Sequence, residues 1–253
     1  MKKCAIVDVK GGLGNQLFTI SFAHYLKSKN YKVFVDTSFY NTSHDYPREL
    51  YIDIEKFGFT RINFKNDKMF NLLKTRFEEV EDLTNLNTKI LNRFKGYYQD
   101  TKFLDKQYLI DKLSIQSTKS EKSVMVHIRR GDYIGLNEEL KFEYYASAIK
   151  KLEKKLGSCE LSIFTDDHDL KIEDFKSFKV TRLFNDKKDD VLETFKKMTQ
   201  FQNFIISNST FSFLAAFLGQ EKSSLIYCPY PWMRNSDVEI NNFPKDWIVV
   251  RNY

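Results

Sequence analysis

The stretch Ala5-Ile6-Val7-Asp8-Val9 is followed by Lys10 and then by Gly11-Gly12-Leu13-Gly14-Asn15-Gln16. Its short run of mostly β-branched, apolar residues is typical of a buried strand. The glycines predict a tight turn, and apolar side chains then recur at helical spacing from Leu17 to Leu26. Because a strand, a glycine turn and a helix make a βα unit, the chain begins as an α/β protein.

The same alternation returns further along the chain. Lys32–Asp36 predicts a second strand, which a helical crossover would place parallel to the first. Further strands are predicted over 124–129, 161–164, 180–183, 204–206 and 225–227, with helices over 142–156, 191–198 and 211–218. Repeated elements of this length predict a doubly wound parallel sheet with ligands at the carboxyl ends of its strands.

The middle of the chain has a less regular pattern. Between residues 41 and 116, only helical pieces around 69–77 and 107–115 are predicted. The polar run Ser117–Lys122 lacks apolar periodicity and directly precedes a strand, which favours a linker. We therefore predict an N-terminal α/β domain over residues 1–120 and a C-terminal α/β domain over 121–253.

Composition excludes several classes of protein. The 253 residues include 23 phenylalanines and 14 tyrosines against nine glycines and four prolines, which excludes a disordered or low-complexity chain. The net charge of +6 comes from dispersed lysines, and the clustering of arginine with aromatic residues that marks a nucleic-acid surface is missing. We expect no nucleic-acid partner.

Two further features concern the cellular compartment. No apolar run approaches the ~20 residues that cross a bilayer, and Asp8 interrupts the start before a signal-peptide core could form. Three cysteines without a CxxC spacing favour reduced, structural thiols: Cys4, Cys159 and Cys228. These features predict a cytoplasmic protein.

The glycine turn is the first candidate functional motif. Glycine allows positive φ and close approach of a ligand, and Asn15 could cap the helix or bind that ligand. The motif differs from the GxGxxG dinucleotide fingerprint because Leu17 stands where the third glycine would fall. The alternative is an ordinary strand-to-helix turn.

The second motif, Val126-His127-Ile128-Arg129-Arg130-Gly131-Asp132, runs off the end of a predicted strand. Period-two alternation places His127 and Arg129 on one face. A guanidinium beside an imidazole at the carboxyl end of a strand suits an anion such as a diphosphate. The alternative is a structural ion pair between Arg130 and Asp132, with His127 as a core residue.

The third motif is Phe164-Thr165-Asp166-Asp167-His168-Asp169, again at a strand end. Asp167 and Asp169 fit the DxD pattern that holds a divalent cation against a nucleotide diphosphate. Alternatively, one aspartate accepts hydrogen bonds from a guanine or ribose edge while the others cap the next segment. A merely solvated acidic turn is a third interpretation.

The fourth motif, Ile206-Ser207-Asn208-Ser209-Thr210-Phe211-Ser212, leads into a strongly apolar helix. Hydroxyl groups and unpaired backbone N–H groups at a helix start form an anion site. Ordinary N-capping is the simpler alternative, although it does not explain why so many hydroxyls occupy one turn.

In order, these motifs resemble those of the bacterial α-1,2-fucosyltransferases of glycosyltransferase family eleven, with more distant similarity to α-1,6- and protein O-fucosyltransferases. The resemblance covers most of the chain and rests mainly on GGLGNQ together with HIRRGDY. The other matching stretches are GYYQDTKFL, FTDD, SNSTFSFLAAFL and Pro229-Tyr230-Pro231-Trp232.

The resemblance implies a glycosyltransferase B-type fold, in which two Rossmann-like domains face a cleft and the N-terminal domain lies on the acceptor side. It implies inverting transfer of L-fucose from GDP-fucose to the 2-hydroxyl of a galactose-terminated oligosaccharide or glycolipid. GDP-fucose would be a co-substrate, with no metal and no cofactor. A membrane-linked acceptor would bring peripheral contact with the inner face of the membrane.

The resemblance also implies roles for particular residues. Arg129 would contact the donor β-phosphate, with His127 also at the nucleotide. Other donor contacts are implied for the guanosine at Asp166 or Asp167, for the phosphates at Ser209, Thr210 and Phe211, and for the donor sugar and phosphates at Gly14 and Asn15.

The general base is not fixed by the resemblance. Asp132 ranks first among the nearby carboxylates, and the alternative is a structural role in which Arg130 holds it. Relatives often carry tryptophans where this chain has Phe213 and Leu214, and a serine in place of Thr165. A metal-dependent glycosyltransferase that uses Asp167 and Asp169 with another nucleotide sugar is the alternative function.

Overall fold

The computed structural model describes residues 3–42, 48–64, 66–72, 76–80, 90–116, 119–234, 240 and 242–251. The chain divides into two compact units, residues 1–112 and 113–253. The boundary expected from the sequence lies eight residues later, after residue 120, and residues 117–118 of the expected linker lie outside the described residues. Both units are α/β, as the sequence predicts.

The first unit is built on a parallel sheet with the strand order β3-β2-β1-β5-β4. The strands are β1 (Cys4–Asp8), β2 (Lys32–Asp36), β3 (Thr60–Ile62), β4 (Glu78–Glu79) and β5 (Leu91–Phe94). The helices are α1 (Leu13–Ser28), α2 (Lys68–Leu72) and α3 (Lys106–Leu113), which ends at the boundary, and short 3₁₀ turns cover Ser38–Asn41 and Thr101–Phe103.

The irregular middle region supplies strands that the sequence did not predict. β3, β4 and β5 have only two to four residues each, and charged residues interrupt them, so they lack the apolar run by which the equally short β9 was predicted. The helix expected over 69–77 is shorter, since α2 ends at Leu72 and Glu78 already lies in β4. Residues 73–75 of that expectation lie outside the described residues.

The second unit has a parallel sheet with the order β11-β10-β9-β6-β7-β8. The strands are β6 (Ser123–Ile128), β7 (Glu160–Thr165), β8 (Val180–Phe184), β9 (Asn203–Ile205), β10 (Ile226–Tyr230) and β11 (Ile248–Arg251). The helices are α4 (Gly131–Leu136), α5 (Phe142–Leu156), α6 (Val191–Met198) and α7 (Thr210–Gly219), with a 3₁₀ turn over Ile172–Phe175.

Three elements of the second unit differ from the sequence prediction. β6 ends at Ile128, so Arg129 has left the strand and begins the following loop. α4 was not predicted, because its two glycines are poor helix formers. β11 was not predicted either; it is an edge strand, with Val249 55% exposed, and it lacks a clean apolar alternation.

Burial explains why the predicted elements form where they do. α7 is apolar almost all round, and its side chains Phe213, Leu214, Ala215 and Ala216 are fully buried, as such a pattern demands. α5 instead turns one apolar face inward, through Tyr144, Tyr145, Ala148, Ile149 and Leu152. Among the described residues, no helix is both long enough and apolar enough to span a membrane.

Candidate active site

Each sheet has one point where the strand order reverses. In the second unit the chain runs from β6 to β7 and β8 on one side, then to β9, β10 and β11 on the other. The reversal lies between β6 and β9, and in open α/β sheets ligands bind in the crevice beyond the strands at such a point. The loops after β6 and β9 carry the second and fourth sequence motifs.

Arg129 is held by two carboxylates at this edge of the sheet. Its Nη2 donates to Asp132 Oδ1 at 2.5 Å, and its Nη1 lies 2.8 Å from Asp166 Oδ2. Burial lowers the pKa of Arg129, but the charges of Asp166 and Asp132 outweigh burial and raise it. Its Nε is buried and has no hydrogen-bond partner among the described residues. Arg129 therefore remains a cation with one N–H unpaired.

Strand register brings Asp166 to Arg129. β6 and β7 are parallel, and Ile128 pairs with Thr165. Arg129 and Asp166 directly follow this pair, so they lie side by side. Asp166 Oδ1 also accepts the backbone N–H of Arg130 at 2.8 Å. A Cβ at Gly131 would stand 2.3 Å from Asp166 Oδ2, so only glycine permits this approach.

The ion pairs around Asp132 and Asp167 differ from the sequence alternative. Asp132 pairs with Arg129 rather than Arg130. Arg130 instead reaches across to β7, where its Nη1 lies 2.9 Å from Asp167 Oδ2. The reason is helical spacing: α4 starts at Gly131, which turns Asp132 back towards Arg129, three residues earlier.

His127 is a buried, neutral imidazole. Burial first, and then the charge of Arg129, lower its pKa to about 3. Its Nδ1 lies 2.7 Å from Ser207 Oγ, which in turn lies 3.3 Å from Ser212 Oγ. The pairing of Val126 with Ile205 in β6 and β9 positions this contact between strand ends. Neither serine was singled out as a partner of His127 from the sequence.

Ser209, Thr210 and Phe211 lie at the start of α7. Ser209 is the N-cap residue, and its Oγ accepts the backbone N–H of Phe211 at 3.3 Å. The Phe211 ring lies 5.8 Å from the His127 ring, measured between centroids. The start of α7 and the imidazole of β6 are therefore neighbours, and both border the strand reversal.

Asp167 and Asp169 were the candidate metal ligands. Asp167 Oδ2 is engaged by Arg130, and its Oδ1 accepts the backbone N–H of Asp169 at 3.0 Å. Within the described ranges, no three acidic, histidine or cysteine side chains assemble as a cation site. Both oxygens of Asp167 thus already accept a hydrogen bond or an ion pair, and Asp169 is exposed.

In the first unit, the glycine turn lies at the other strand reversal, between β1 and β5. Gly11 has a φ of 79°, and Gly12 is the N-cap of α1, so Asn15 does not cap the helix. Gln99, in the loop after β5, donates from Nε2 to Asn15 Oδ1 at 2.9 Å across the reversal. Gly14 lies inside the first turn of α1 and is buried.

The buried side chain of Gln16 holds the glycine turn in place. Gln16 donates from Nε2 to the carbonyls of Gly11 (3.0 Å) and Glu49 (2.7 Å).

Asp8 lies at the end of β1, and Arg93 donates to both of its oxygens. Burial raises the pKa of Asp8, with Arg93 acting in the opposite direction. Both residues are half-buried, and the only signal in the sequence for this pair was one charged residue in each strand.

The family of the chain follows from comparison with known proteins. The family model described as glycosyl transferase family 11 matches residues 97–251. The chain belongs to this family. The match includes the whole second unit's candidate site, from His127 to Phe211, and begins just before Gln99 in the first unit.

Two curated relatives of this family 11 protein come from Escherichia coli. One is an alpha-1,2-colitosyltransferase, 32% identical over 143 residues, which cover 50% of this chain and 47% of the relative. The chain thus spans about half the length of that relative. The other is the O-antigen biosynthesis glycosyltransferase WbnK, 23% identical over an alignment of 287 residues that covers 90% of this chain and 95% of the relative.

The fold has counterparts among solved structures. POFUT1, in a structure with GDP-fucose, superposes with a TM-score of 0.51 at 12% identity and covers 89% of this chain and 97% of its own. This similarity shows the glycosyltransferase B-type architecture. The fold expected from the sequence, two α/β units with parallel sheets, is confirmed.

Proposed function

We propose that this family 11 glycosyltransferase transfers L-fucose from GDP-fucose to the 2-hydroxyl of a galactose-terminated glycan, with inversion and without a metal. The observation that carries the proposal is the group of donors at the β6–β9 reversal. It combines Arg129, the neutral His127 and the start of α7 at Ser209. A guanidinium, a ring nitrogen and a helix N-terminus together suit a nucleotide diphosphate.

Arg129 has the main electrostatic role in this proposal. When the bond between C1 of fucose and the diphosphate breaks, its electron pair stays on the β-phosphate oxygen as negative charge. Arg129 and the backbone N–H groups at Ser209 and Thr210 would stabilise that charge by preorganised hydrogen bonds. The unpaired Nε of Arg129 supports this role, since a buried donor without a partner needs an explanation.

The acceptor hydroxyl would attack C1 from the face opposite GDP, forming the new bond as the old one breaks. Its proton must pass to a base late in this step. We propose Asp132 as that base, with Arg129 fixing the orientation of its carboxylate through Oδ1. A pH–rate profile of Asp132→Asn tests this, because unchanged turnover would remove Asp132 from the role.

Asp166 and Asp167 complete the part of the proposed donor site that lies in the second unit. Asp166 binds the Arg129 side chain and the backbone N–H of Arg130, so we propose that it positions the loop that carries these two arginines. We propose that Asp167 contacts the guanosine beside its ion pair with Arg130, since each carboxylate oxygen can accept more than one hydrogen bond. In the first unit, Asn15 and Gly14 would contact the donor sugar and phosphates, with Gln99 holding the Asn15 amide.

A second donor is supported by one comparison. The relative with 32% identity is an alpha-1,2-colitosyltransferase. Colitose is fucose without its 3-hydroxyl, so a GDP-colitose donor would present the same diphosphate to the proposed site as GDP-fucose. The proposed site recognises the diphosphate in both cases, and the choice between them depends on contacts to the sugar.

The test is transfer by the purified chain from labelled GDP-fucose and from GDP-colitose to a panel of galactosides. We expect GDP release and a product labelled at the 2-hydroxyl of galactose. Arg129→Lys keeps the charge but cannot reach Asp132 and Asp166 with separate nitrogens, so we expect a fall in kcat of ~10²-fold or more.

Arg130→Lys is the matched control, because Arg130 is 42% exposed and pairs with Asp167 rather than with the Arg129 cluster. We expect it to keep most of the activity. Transfer from neither donor to any galactoside would contradict the proposed substrates. Near-normal turnover by folded Arg129→Lys would contradict the proposed role of Arg129.

A further inference from the structure

Asn208 lies where three loops of the second unit meet. The loops follow β6, β9 and β10, which are adjacent in the sheet, so all three leave the same edge. The Asn208 side chain is 1% exposed, and its Nδ2 donates to the Glu138 carbonyl at 2.8 Å. The same nitrogen lies 3.7 Å from Met233 Sδ in the loop after β10.

Two further contacts complete this connection. Tyr133 of α4 donates from its hydroxyl to the backbone carbonyl of Asn208 at 3.2 Å. The buried carboxylate of Glu138 accepts the backbone N–H of Arg234 at 2.6 Å, which joins the loops after β6 and β10 directly. Asn208 is thus fixed through both its side chain and its main chain.

The neighbours of Asn208 belong to the candidate active site. Ser207 precedes it and contacts His127, and Ser209 follows it and caps α7. Tyr133, which holds the Asn208 carbonyl, lies with its ring 5.4 Å from the Arg129 guanidinium carbon. A shift of Asn208 would therefore move the start of α7 relative to Arg129.

Asn208 is not optimised for stability alone. Its Oδ1 is buried and has no hydrogen-bond partner in the part of the chain that the structure describes. A buried acceptor without a partner lowers stability. The Asn208 amide thus bonds the Glu138 carbonyl through Nδ2 while its Oδ1 makes no hydrogen bond. An unsatisfied buried group in a native structure needs an explanation, and a role in positioning the surrounding loops is the one we pursue.

We propose that Asn208 is a positioning residue that sets the distance between Arg129 and the N-terminus of α7, and so the affinity for the donor diphosphate. The inference rests on the proposed function, because it assigns Asn208 a part in binding the same GDP group. Asn208 acts through Glu138 and Tyr133 and need not touch the ligand itself.

The test compares GDP binding, by titration calorimetry, in the wild type, Asn208→Ala and Asn203→Ala. Asn203 is a matched control: it is also 1% exposed and makes side-chain bonds to Glu121 (3.0 Å) and Leu225 (3.0 Å), but at the amino end of β9. We expect Asn208→Ala to weaken GDP binding by ~10-fold or more, and Asn203→Ala by less than about twofold.

Steady-state kinetics give a second readout. We expect Asn208→Ala to raise KM for the donor and lower kcat while KM for the acceptor stays within about twofold of the wild type. Equal GDP affinity in Asn208→Ala and the wild type, or equal losses in Asn208→Ala and Asn203→Ala, would overturn the inference while leaving the proposed function intact. A wild-type chain that does not bind GDP would overturn both.

Tyr133→Phe gives a milder arm if Asn208→Ala does not fold. It removes only the hydroxyl that holds the Asn208 carbonyl and keeps the ring beside Arg129. We expect a loss of GDP affinity of about threefold or more in the folded variant. An affinity equal to that of the wild type would overturn the inference.

Discussion

The Asp166 carboxylate occupies the space that a side chain at Gly131 would need. An ideal Cβ at residue 131 stands 2.3 Å from Asp166 Oδ2, which is closer than a real Cβ atom approaches a neighbouring atom. The same carboxylate binds Arg129 Nη1 at 2.8 Å and the backbone N–H of Arg130 at 2.8 Å. Gly131 therefore leaves room for the Asp166 carboxylate, which orients Arg129.

The first prediction concerns Gly131→Ala. The methyl group would push Asp166 away and break its bonds to Arg129 and Arg130, at a cost of ~1–3 kcal/mol in the free energy of unfolding. Because Arg129 then loses one of its two anchors, we expect kcat/KM for the donor to fall by at least ~10-fold. Urea denaturation and donor kinetics measure both effects. A variant with wild-type kinetics would show that Asp166 does not position Arg129.

The second prediction uses two adjacent glycines of the first unit. Gly11 has a φ of 79°, and its Cβ would stand 2.8 Å from Asn15 Nδ2, so Gly11→Ala should cost ~1–2 kcal/mol. Gly12 has a φ of −75° and open space around a Cβ. Its replacement by alanine weakens the N-cap but also reduces the entropy of the unfolded chain. We expect a change within ~0.5 kcal/mol by urea denaturation, and equal losses in the two variants would contradict the argument.

The third prediction concerns pH. The pKa of His127 is lowered to about 3 in the folded chain, against 6.5 for an ordinary solvent-exposed imidazole. As the pH falls, the unfolded chain binds a proton at this imidazole before the folded chain does. The contribution of His127 to the free energy of unfolding is therefore complete above about pH 6.5, and it is lost as the pH drops from about 6.5 towards about 3. Between pH 7 and pH 5 we expect this residue to account for a loss of ~2 kcal/mol.

The measurement compares urea denaturation of the wild type, His127→Gln and His168→Gln at both pH values. The loss attributed to His127 should disappear in His127→Gln. His168 is exposed and serves as the control for removing a histidine elsewhere. An unchanged pH dependence in His127→Gln would show that the buried imidazole is not the cause.

The fourth prediction concerns metal ions. Asp167 is engaged by Arg130 and by the backbone N–H of Asp169, so it is poorly arranged to bind a cation. We expect EDTA to leave the rate of transfer unchanged and Asp169→Asn to alter it by less than about threefold. Loss of activity in EDTA, restored by manganese, would favour the alternative metal-dependent mechanism.

The sequence was informative where strands are long and apolar. β1, β2, β6 and β7 were predicted because five or six consecutive residues carry a recognisable pattern. β3, β4 and β5 were missed because they are short and contain charged residues, and their pairing with neighbouring strands decides their conformation. Helix α4 was missed because contacts around Asp132 and Tyr133 override the low propensity of its glycines.

In the candidate site too, some features were predicted from the sequence and others were not. The sequence identified the polar groups at strand ends, including His127, Arg129, Asp166 and Ser209, since each follows an apolar run. It did not predict which carboxylate binds which arginine, and the pair of Arg130 with Asp132, which it offered as an alternative, does not form. It gave no indication that Asn208 joins three loops, because its partners are a carbonyl, a sulfur and a hydroxyl distant in sequence.

By itself, then, the sequence determined the α/β class, the order of the longer strands and helices, and the polar residues that stand at the ends of those strands. Local propensity and apolar periodicity act over a few residues, and they suffice for these features. The tertiary structure decided which of those residues meet. Parallel register sets Ile128 opposite Thr165 and Val126 opposite Ile205, and that alignment brings Asp166 to Arg129 and Ser207 to His127.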